Sequence, residues 1–291
     1  MKQIAVFSGK GGTGKTSLVA SFAALARRAV AVDTDVDAAN LALLLPGEDT
    51  SEKAFYSGRR ARIDPERCTG CGACRDACRF GAVRAVGTRF EIHTISCEGC
   101  GVCGLVCPVP DTITFEDNLA GTWRIRHTAT GLLVHAQLGI AQDSSGKLVA
   151  HLRREAETLG ERAQMPYLLI DGPPGIGCPV HAAIGGVDLV VAVTEPSVSG
   201  EHDLIRLLDL AEHFRRPISV VINKADLAPK VSTRIRRVCH GRGVPVLGEI
   251  PFDPLVPRLL AQGRLPLDAR PATAEAIRET WKAVSEATER G

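Results

Sequence analysis

A chain of 291 residues with a hydrophobic share of 45% is long enough to bury a full α/β core and to carry a small additional module. Its formal net charge of +2 supplies no large basic field, which argues against a nucleic-acid partner. No apolar run reaches the length of a membrane span, and Met1–Ser8 leads directly into a glycine-rich loop instead of a signal peptide. We therefore expect a cytoplasmic protein without a membrane span.

Short apolar segments rich in Val and Ile predict buried parallel strands, with helical patterns between several of them. The helical patterns include Thr16–Arg28, Asp203–Phe214 and a docked terminal helix at Thr273–Arg290. This alternation predicts an α/β fold with a mostly parallel, doubly wound sheet. The six predicted strands are Ile4–Phe7, Ala29–Val32, Leu168–Ile170, Leu189–Val193, Ser219–Ile222 and Val246–Ile250.

The first strand is followed by a glycine-rich loop, Gly9-Lys10-Gly11-Gly12-Thr13-Gly14-Lys15-Thr16, which precedes a predicted helix. Glycines let backbone N–H groups turn inward on an anion, at a helix start whose dipole favours negative charge. In such a P-loop, Lys15 reaches the terminal phosphates and the Thr16 hydroxyl binds Mg²⁺. The predicted phosphate-binding residues are Gly11, Gly12, Thr13, Gly14, Lys15, Thr16 and Ser17.

Eight of the ten cysteines form two copies of one spacing, Cys68-x2-Cys71-x2-Cys74-x3-Cys78 and Cys97-x2-Cys100-x2-Cys103-x3-Cys107-Pro108. This spacing is typical of proteins with two cubane iron–sulfur clusters. Disulfides and zinc are the alternatives. A reducing cytoplasm disfavours disulfides, and the repeated spacing suits an iron–sulfur cluster better than either alternative. We predict that residues 55–118, which have few long apolar runs, form an inserted small α+β domain. Residues 1–54 and 119–291 then form the P-loop NTPase domain.

Lys10, at the start of the loop, resembles the second lysine in the deviant P-loop of the MinD, ParA and nitrogenase iron-protein group. The resemblance implies an ATP-dependent homodimer, or a pair with a close paralogue, in which Lys10 reaches the partner's phosphates. It also implies that Asp35, in Asp33-Thr34-Asp35-Val36-Asp37, positions water and magnesium. Asp171 would join the magnesium shell, and the Gly172 amide would bind the γ-phosphate. Lys10, Lys15, Asp35 and Asp171 are therefore the expected catalytic residues.

Asp37, the last residue of the same acidic motif, is predicted to be a helix N-cap near Asn40.

A separate motif concerns recognition of the nucleotide base. Asn223-Lys224-Ala225-Asp226 matches the motif of guanine-binding proteins, in which the carboxylate pairs with the N–H groups of the base. MinD-like ATPases carry a similar stretch and read adenine with a later loop, here Ile250-Pro251-Phe252-Asp253. The lysine-first loop and the proline loop favour ATP, with GTP as the alternative. Asn223, Asp226 and Pro251 are the expected base-binding residues.

The whole chain resembles a MinD-type ATPase with an inserted bacterial two-cluster ferredoxin, and also the nucleotide-binding domain of cobyrinic acid a,c-diamide synthase. In such ferredoxins the fourth cysteine of each motif binds the other cluster. Arg79 follows Cys78 in place of the usual proline, which we expect to loosen or re-tune the second cluster. The resemblance implies that one cluster uses Cys68, Cys71, Cys74 and Cys107, and the other Cys97, Cys100, Cys103 and Cys78.

The inserted stretch is rich in arginine, at positions 59, 60, 62, 67, 75, 79, 84 and 89. These arginines either raise the reduction potentials of the clusters and steer an acidic partner, or form a solvated face.

Two cysteines lie outside the repeated motifs. Cys178 follows Asp171 by seven residues. It is either a ligand to a cluster shared between subunits, as in the nitrogenase iron protein, or a small thiol in the switch loop. Cys239 is predicted to be a packed residue of a helix.

These patterns together favour an ATPase whose dimer switching controls electron transfer through two 4Fe–4S clusters to or from an unidentified redox partner. ATP or ADP and Mg²⁺ are the other expected cofactors. The alternative is an ATP-dependent assembly or carrier protein that delivers an iron–sulfur or other metal cluster to an acceptor protein. Partitioning of cargo on DNA or membrane is disfavoured by the near-neutral charge and the lack of a basic amphipathic tail. An amide-forming synthase would need a substrate domain for which no length remains.

Overall fold

The computed structural model describes residues 1–139 and 145–290. It divides the chain into two compact units. Unit 1 comprises Met1–Lys53, Trp123–Gln137 and Ser145–Gly291, and unit 2 comprises Ala54–Thr122 and Leu138–Ser144. Two long strands, β3 (Gly47–Ile63) and β6 (Ile113–Thr128), contain residues of both units.

Unit 1 contains the other long strands and most of the helices. Its strands are β1 (Lys2–Phe7), β2 (Ala29–Asp33), β7 (Gly131–Leu138), β8 (Tyr167–Asp171), β9 (Leu189–Thr194), β10 (Ile218–Asn223) and β11 (Val246–Ile250). Its helices are α1 (Lys15–Ala26), α2 (Leu41–Leu44), α5 (Ser145–Arg162), α6 (Cys178–Ile184), α7 (Val198–His213), α8 (Pro229–Gly241), α9 (Leu255–Ala261) and α10 (Pro271–Arg290).

In the described part of unit 2, the elements besides its parts of β3 and β6 are short. They are α3 (Ala73–Asp76), β4 (Val83–Val86), β5 (Arg89–Ile92), a 3-10 helix (Thr94–Ser96) and α4 (Val102–Val106). β4 and β5 form a separate antiparallel two-stranded sheet. A small core of Ile63, Cys74, Val83 and Phe90 lies beneath these elements. This core has few buried apolar side chains for a unit of this size.

The main sheet runs in the order β11-β10-β9-β1-β8-β2-β7-β6-β3. The six strands from β11 to β2 are the six that the sequence predicts, and every neighbouring pair among them is parallel. Most of their residues are buried, because helices cover both faces of a sheet of this type. The predicted α/β class with a mostly parallel sheet is confirmed.

Helix α10 packs on α1, as its apolar stripe predicts. Ile277, Trp281 and Val284 are buried, and the Trp281 ring lies 5.3 Å from the Phe22 ring, centroid to centroid. Burial of a side chain of this size contributes about 1.5–3 kcal/mol. The terminal helix is therefore part of the core of unit 1.

Two helix boundaries differ from the predicted ones. α1 ends at Ala26 and not at Arg28, because Arg27 takes a left-handed conformation with φ of 59°. α7 begins at Val198 and not at Asp203, because the Ser197 side chain accepts a hydrogen bond from the Gly200 N–H at 3.0 Å and caps the helix. In both cases a local backbone feature, not the apolar pattern, sets the end.

The Asp49 carboxylate forms an ion pair with Arg126 at 2.7 Å and accepts a hydrogen bond from His135 at 3.3 Å. Hydrogen bonding to Arg126 lowers the pKa of Asp49 from its ordinary value of 3.8 to about 2. A carboxyl with a lowered pKa in the folded state stabilises the fold above its ordinary pKa and loses that contribution as the pH falls towards 2.

We therefore expect Asp49→Asn to lower the free energy of unfolding at pH 7 by about 1–2 kcal/mol, and to leave it nearly unchanged near pH 2. Urea titration across this pH range measures the difference. Glu48→Gln is the matched control, because Glu48 is exposed and has no ion pair within the described residues. A constant difference between Asp49→Asn and wild type at all pH values would contradict the prediction.

Candidate nucleotide site and cysteine module

The predicted P-loop connects the carboxyl end of β1 to the start of α1. Gly12 and Gly14 have positive φ values of 80° and 94°, a region that L residues other than glycine rarely adopt. Gly14 is also the N-cap of α1, and a Cβ there would lie 2.4 Å from the Asn223 amide nitrogen. The backbone at this turn therefore requires glycine and leaves the first N–H groups of α1 facing outward.

A cleft of about 710 Å³ lies against this loop. The prolines of the segment after β8 (Pro173, Pro174) and the α2 side chains Leu43 and Leu44 form other parts of its wall. The predicted residues that line it are Gly11, Gly12, Thr13, Gly14, Lys15, Thr16, Ser17 and Asp35. The structure thus brings the P-loop and the acidic motif of β2 to one cavity at the carboxyl edge of the sheet, where open α/β sheets bind ligands.

Asp171 lies beneath the P-loop at the end of β8. Its Oδ1 atom forms an ion pair with Lys15, and both side chains are almost fully buried. The Oδ2 atom is buried and has no hydrogen-bond partner among the described residues. A buried carboxylate oxygen without a partner is costly, and a bound cation with its water shell would satisfy it.

Gly172 does not face the cleft. Its N–H donates to the Val6 carbonyl at 2.9 Å, which continues the ladder between β8 and β1. A Cβ on Gly172 would lie 2.2 Å from the Phe7 ring, so the close packing of these two strands requires a glycine at this position. In this structure Gly172 therefore has a packing role, and the amide expected at the γ-phosphate is already paired.

Asp33 and Asp35 have different environments. Asp33 is fully buried, where its carboxylate accepts hydrogen bonds from the N–H groups of Leu41 and Asp35 at 3.0 and 3.1 Å. Burial, together with the charge of Asp171, raises the pKa of Asp33 to about 7. Burial also raises the pKa of Asp35, which lines the cleft. Asp35 and the exposed Asp37, which also lines the cleft, are thus the carboxylates of this motif that a ligand can reach.

The predicted N-cap role of Asp37 is wrong. Asn40 occupies the N-cap position of α2, and its side chain makes no capping hydrogen bond. The first N–H of α2, from Leu41, is instead bound by Asp33 eight residues upstream. A buried carboxylate from the preceding strand therefore replaces a local cap, which spacing along the chain does not predict.

Lys10 is held within the same chain by Glu195. The Lys10 ammonium lies 2.6 Å from the Glu195 carboxylate and within hydrogen-bond distance of the hydroxyl groups of Ser197 and Ser199. Lys224 binds the other Glu195 oxygen at 2.8 Å and donates to the Gly12 carbonyl at 3.1 Å. Burial tends to raise the pKa of Glu195, but the hydrogen bonds from Lys10 and Lys224 outweigh it, and the pKa is lowered.

The sequence analysis did not identify Glu195. It directly follows β9, at the same carboxyl edge of the sheet as the P-loop and Asp171, and that position is the signal that would have found it. The contact joins residues 185 positions apart, so only the sheet order brings them together.

A second cavity, of about 170 Å³, borders the P-loop at Gly12 and Gly14. Asn223 and Pro251, both predicted base-binding residues, line it together with Phe252. The Asn223 amide donates to the Thr13 carbonyl at 2.7 Å, which ties the end of β10 to the loop. Asp226 does not line this cavity, and its carboxylate accepts the Phe252 N–H at 2.6 Å.

In unit 2, seven of the eight motif cysteines fall into two groups. Cys78 shares a small cavity with Cys97, Cys100 and Cys103. Burial raises the pKa of the Cys74 thiol, and the neighbouring thiols of Cys68 and Cys107 act in the same direction. Each group therefore contains cysteines from both sequence motifs.

The backbone repeats around the two groups. Gly72 and Gly101, which precede α3 and α4, have φ values of 81° and 85°. Gly70 and Gly99, two residues earlier in each motif, also have positive φ. These turns allow the thiols at three-residue intervals to converge on one side of the backbone.

No three His, Cys, Asp or Glu side chains in the described ranges converge closely enough to hold a single metal ion. A cubane cluster places a different requirement on its ligands, because each thiolate binds a separate iron atom. Four cysteines line one small cavity together with Glu98, and four thiolates are the donor set that such a cluster uses. The residues of unit 2 therefore fit an iron–sulfur cluster better than a mononuclear ion.

The two remaining cysteines lie in unit 1. Cys239 is fully buried in α8, as predicted. Cys178 is exposed and is the first residue of α6, directly after the segment that follows Asp171.

Comparison with known families matches residues 4–267 to the CobQ/CobB/MinD/ParA nucleotide binding domain. The chain belongs to this family. It is therefore a MinD/ParA-type P-loop ATPase. Uncharacterized protein MJ0578 of Methanocaldococcus jannaschii is 32% identical over 98% of this chain and 96% of its own. MJ0579 of the same organism is 26% identical over 77% of this chain and 80% of its own.

Solved structures of the family share the fold. MinD of Pyrococcus horikoshii, complexed with Mg-ADP, has a TM-score of 0.58 at 17% identity and covers 98% of this chain and 96% of its own. The ATP complex of Cyanothece McdA(D38A) has a TM-score of 0.58 at 16% identity and covers 99% and 96%. Within residues 1–139 and 145–290, no helix has the length and apolar character to span a membrane.

Proposed function

We propose that this MinD/ParA-type ATPase carries two 4Fe–4S clusters in an inserted ferredoxin-like domain at residues 55–118, and that nucleotide-driven dimer switching controls electron transfer through them to or from a partner protein. The observation that carries the proposal is the grouping of cysteines in unit 2, where Cys78 joins the second motif and Cys107 approaches the first. Such mixing of the two motifs supports crossed ligation, in which the fourth cysteine of each motif binds the other cluster.

The ligand sets follow from these groups. Cys68, Cys71, Cys74 and Cys107 would hold one cluster, and Cys97, Cys100, Cys103 and Cys78 the other. When bound, such clusters supply one-electron transfer. The protein supplies thiolates on glycine turns and hydrogen bonds to sulfur, of which the Ala82 N–H to Cys78 at 3.3 Å is one. Cys71 and Cys100 are exposed, so both groups reach the surface of unit 2.

In unit 1, Lys15, Thr16, Asp35 and Asp171 would bind the phosphates and Mg²⁺. The unpartnered Oδ2 of Asp171 and the accessible carboxylate of Asp35 suit a hydrated cation. Mg-ADP in the complex of Pyrococcus horikoshii MinD supports this choice of ligand. We further propose ATP over GTP, because the Asp226 carboxylate is bonded to the Phe252 N–H and does not face the cavity that Asn223 and Pro251 line.

Lys10 would complete the site of a second subunit in an ATP-dependent dimer, either with an identical chain or with a close paralogue. Two relatives in one organism, MJ0578 and MJ0579, support the paralogue option. In this structure Lys10 is bound to Glu195 of its own chain. Formation of the dimer would exchange that ion pair for a contact with the partner's phosphates.

Glu195→Gln should therefore strengthen ATP-dependent dimerisation. The amide keeps the shape of the side chain but weakens its hold on Lys10, and a charge-assisted contact of this kind is worth roughly 1 kcal/mol, or about fivefold in the dimer dissociation constant. Analytical ultracentrifugation with a non-hydrolysable ATP analogue measures the change. Lys10→Ala is the matched control and should weaken the dimer. If Glu195→Gln weakened the dimer as much as Lys10→Ala does, Glu195 would not compete with the partner's phosphates for Lys10.

The proposed coupling is tested by the cluster reduction potential, measured by anaerobic EPR titration without nucleotide, with ADP and with a non-hydrolysable ATP analogue. Iron is assayed on every sample. We expect the analogue to shift the potential by on the order of 30–60 mV with iron retained, since 59 mV is about tenfold in a one-electron equilibrium. An unchanged potential would contradict the coupling. Loss of iron on addition of the analogue would instead support the carrier and assembly function.

A further inference from the structure

The arginines of unit 2 are divided into two sets that the sequence does not distinguish. The set on β3 is bound by side chains of β6: Arg59 pairs with Asp117 at 3.6 Å, and Arg62 pairs with Glu116 at 3.0 Å. Arg60 donates to the uncharged Asn118 side chain at 2.6 Å. Two of these three arginines are therefore ion-paired within the unit.

The second set lies around the first cysteine motif and the β4–β5 hairpin. Arg84 and Arg89 are exposed and make no ion pair or side-chain hydrogen bond with any described residue. Arg84 is opposite Glu91 in the hairpin and Arg89 is opposite Val86, so the two arginines share the solvent-facing side, while Val83 and Phe90 face the core. Arg67 and Arg79, which flank the motif in sequence, are also exposed.

The hairpin is in contact with the loop that carries Cys71. Gly70 packs on the turn between β4 and β5 so closely that a Cβ would lie 2.2 Å from the Thr88 carbonyl oxygen. The Arg75 guanidinium, which is paired with Asp76, lies 5.3 Å from the centre of the Phe90 ring. The β4–β5 turn, which directly precedes Arg89, therefore lies beside the loop of the exposed Cys71.

The second motif has a different environment. Its equivalent glycine, Gly99, packs on the backbone of Arg59, whose side chain is paired with Asp117. Residues 93–123 contain no Lys or Arg, whereas they contain Glu98 and Asp111 in addition to the two carboxylates paired with β3. On the solvent-facing side of the hairpin, the two arginines are accompanied by one carboxylate, that of Glu91 opposite Arg84. The two ends of the module therefore differ in charge, although their cysteine spacing is the same.

We propose that the β4–β5 hairpin, through Arg84 and Arg89, is the docking surface for a small acidic electron-carrier protein. The inference rests on the proposed function. A reduced carrier bound there loses one electron and the module gains it at the Cys71 end. Complementary charge accelerates encounter and fixes orientation, and basic side chains near thiolate ligands favour acceptance of negative charge.

The test uses the full chain and a flavodoxin of strongly acidic pI as the probe. The dissociation constant is measured by isothermal titration calorimetry at low and high salt. We expect Arg84→Glu/Arg89→Glu to weaken binding at low salt by at least about tenfold, and wild-type binding to weaken as salt rises. Arg206→Glu/Arg237→Glu is the matched control. It makes the same change in net charge at two exposed arginines of unit 1 and should bind like wild type.

Cytochrome c, a basic redox protein, provides the opposite probe. It should bind the Arg84→Glu/Arg89→Glu variant more tightly than it binds wild type. Where that double variant fails to fold, Arg84→Gln and Arg89→Gln are compared singly, each with an expected loss of about threefold for flavodoxin. The iron content of the same preparations distinguishes failure of the proposed function from failure of this inference. Wild-type protein without iron refutes the proposed function, whereas iron-loaded protein whose two double variants bind flavodoxin equally refutes this inference.

Discussion

Lys15→Ala should weaken binding of MgATP at least about a hundredfold, or about 2.7 kcal/mol, while the iron content stays at the wild-type value. The ammonium group is positioned beside the P-loop backbone by its ion pair with Asp171. Removal of Lys15 takes away the charge that would bind the terminal phosphates, but it does not alter any residue of unit 2. Titration with a fluorescent ATP analogue and iron analysis on the same sample measure both effects.

The Lys15→Ala variant needs a stability control, because Lys15 is ion-paired with the buried Asp171. Without Lys15 the Asp171 carboxylate is left buried and unpaired, which costs roughly 3–5 kcal/mol, so the thermal melt of the variant must be compared with wild type. Thr16→Ala keeps the Lys15–Asp171 pair and should lose only the magnesium-dependent part of the affinity, by about tenfold. Binding by Lys15→Ala within about threefold of wild type would show that the P-loop cleft is not the nucleotide site. Parallel loss of iron would show that the two units do not act as separate modules.

Pairs of cysteine substitutions should separate the two ligand sets. Cys71→Ser/Cys107→Ser removes two ligands of the same proposed cluster and should leave about four of about eight iron atoms per chain. Cys71→Ser/Cys78→Ser removes one ligand from each cluster and should leave almost none. The structural reason is that Cys78 shares a cavity with Cys97, Cys100 and Cys103. The thiol of Cys107, in contrast, contributes to the raised pKa of Cys74.

Iron analysis and EPR after anaerobic reconstitution measure the result. Cys178→Ser is the matched control, because Cys178 is an exposed cysteine of unit 1 and should leave the iron content unchanged. The reverse outcome for the two double variants would mean that each motif binds its own cluster without crossing. Loss of iron in the Cys178→Ser variant would favour a shared cluster at that position, and wild-type protein without iron would remove the basis of the proposed function.

The order of elements in unit 1 was predictable from residue patterns. All six core strands were placed by short Val- and Ile-rich segments, since strands covered on both faces carry few polar residues. The stripe of Ile277, Trp281 and Val284 likewise identified the terminal helix. Helix ends at Arg27 and Ser197 were less predictable, because they depend on one left-handed residue and one side-chain cap.

The components of the nucleotide site were also visible in the sequence, but not all of their contacts were. The P-loop and Asp35 line one cleft because β1 and β2 end at the same edge of a parallel sheet. Gly172 was expected at the phosphates and instead packs against Phe7, because the spacing between β8 and β1 leaves no room for a side chain. The helix cap on α2 comes from Asp33 in the preceding strand, and not from Asp37.

Residue patterns alone identify the chemistry available to this protein: a P-loop with two lysines, aspartates at two strand ends and eight cysteines in two equal motifs. Which of these groups meet depends on the tertiary fold. The fold pairs Lys10 with Glu195, and Arg59 and Arg62 with carboxylates of β6, and leaves Arg84 and Arg89 without an ion pair among the described residues. The physical reason is that a motif depends on residues close in the chain, whereas ion pairs and cavities depend on strand order, which brings distant residues within a few ångströms.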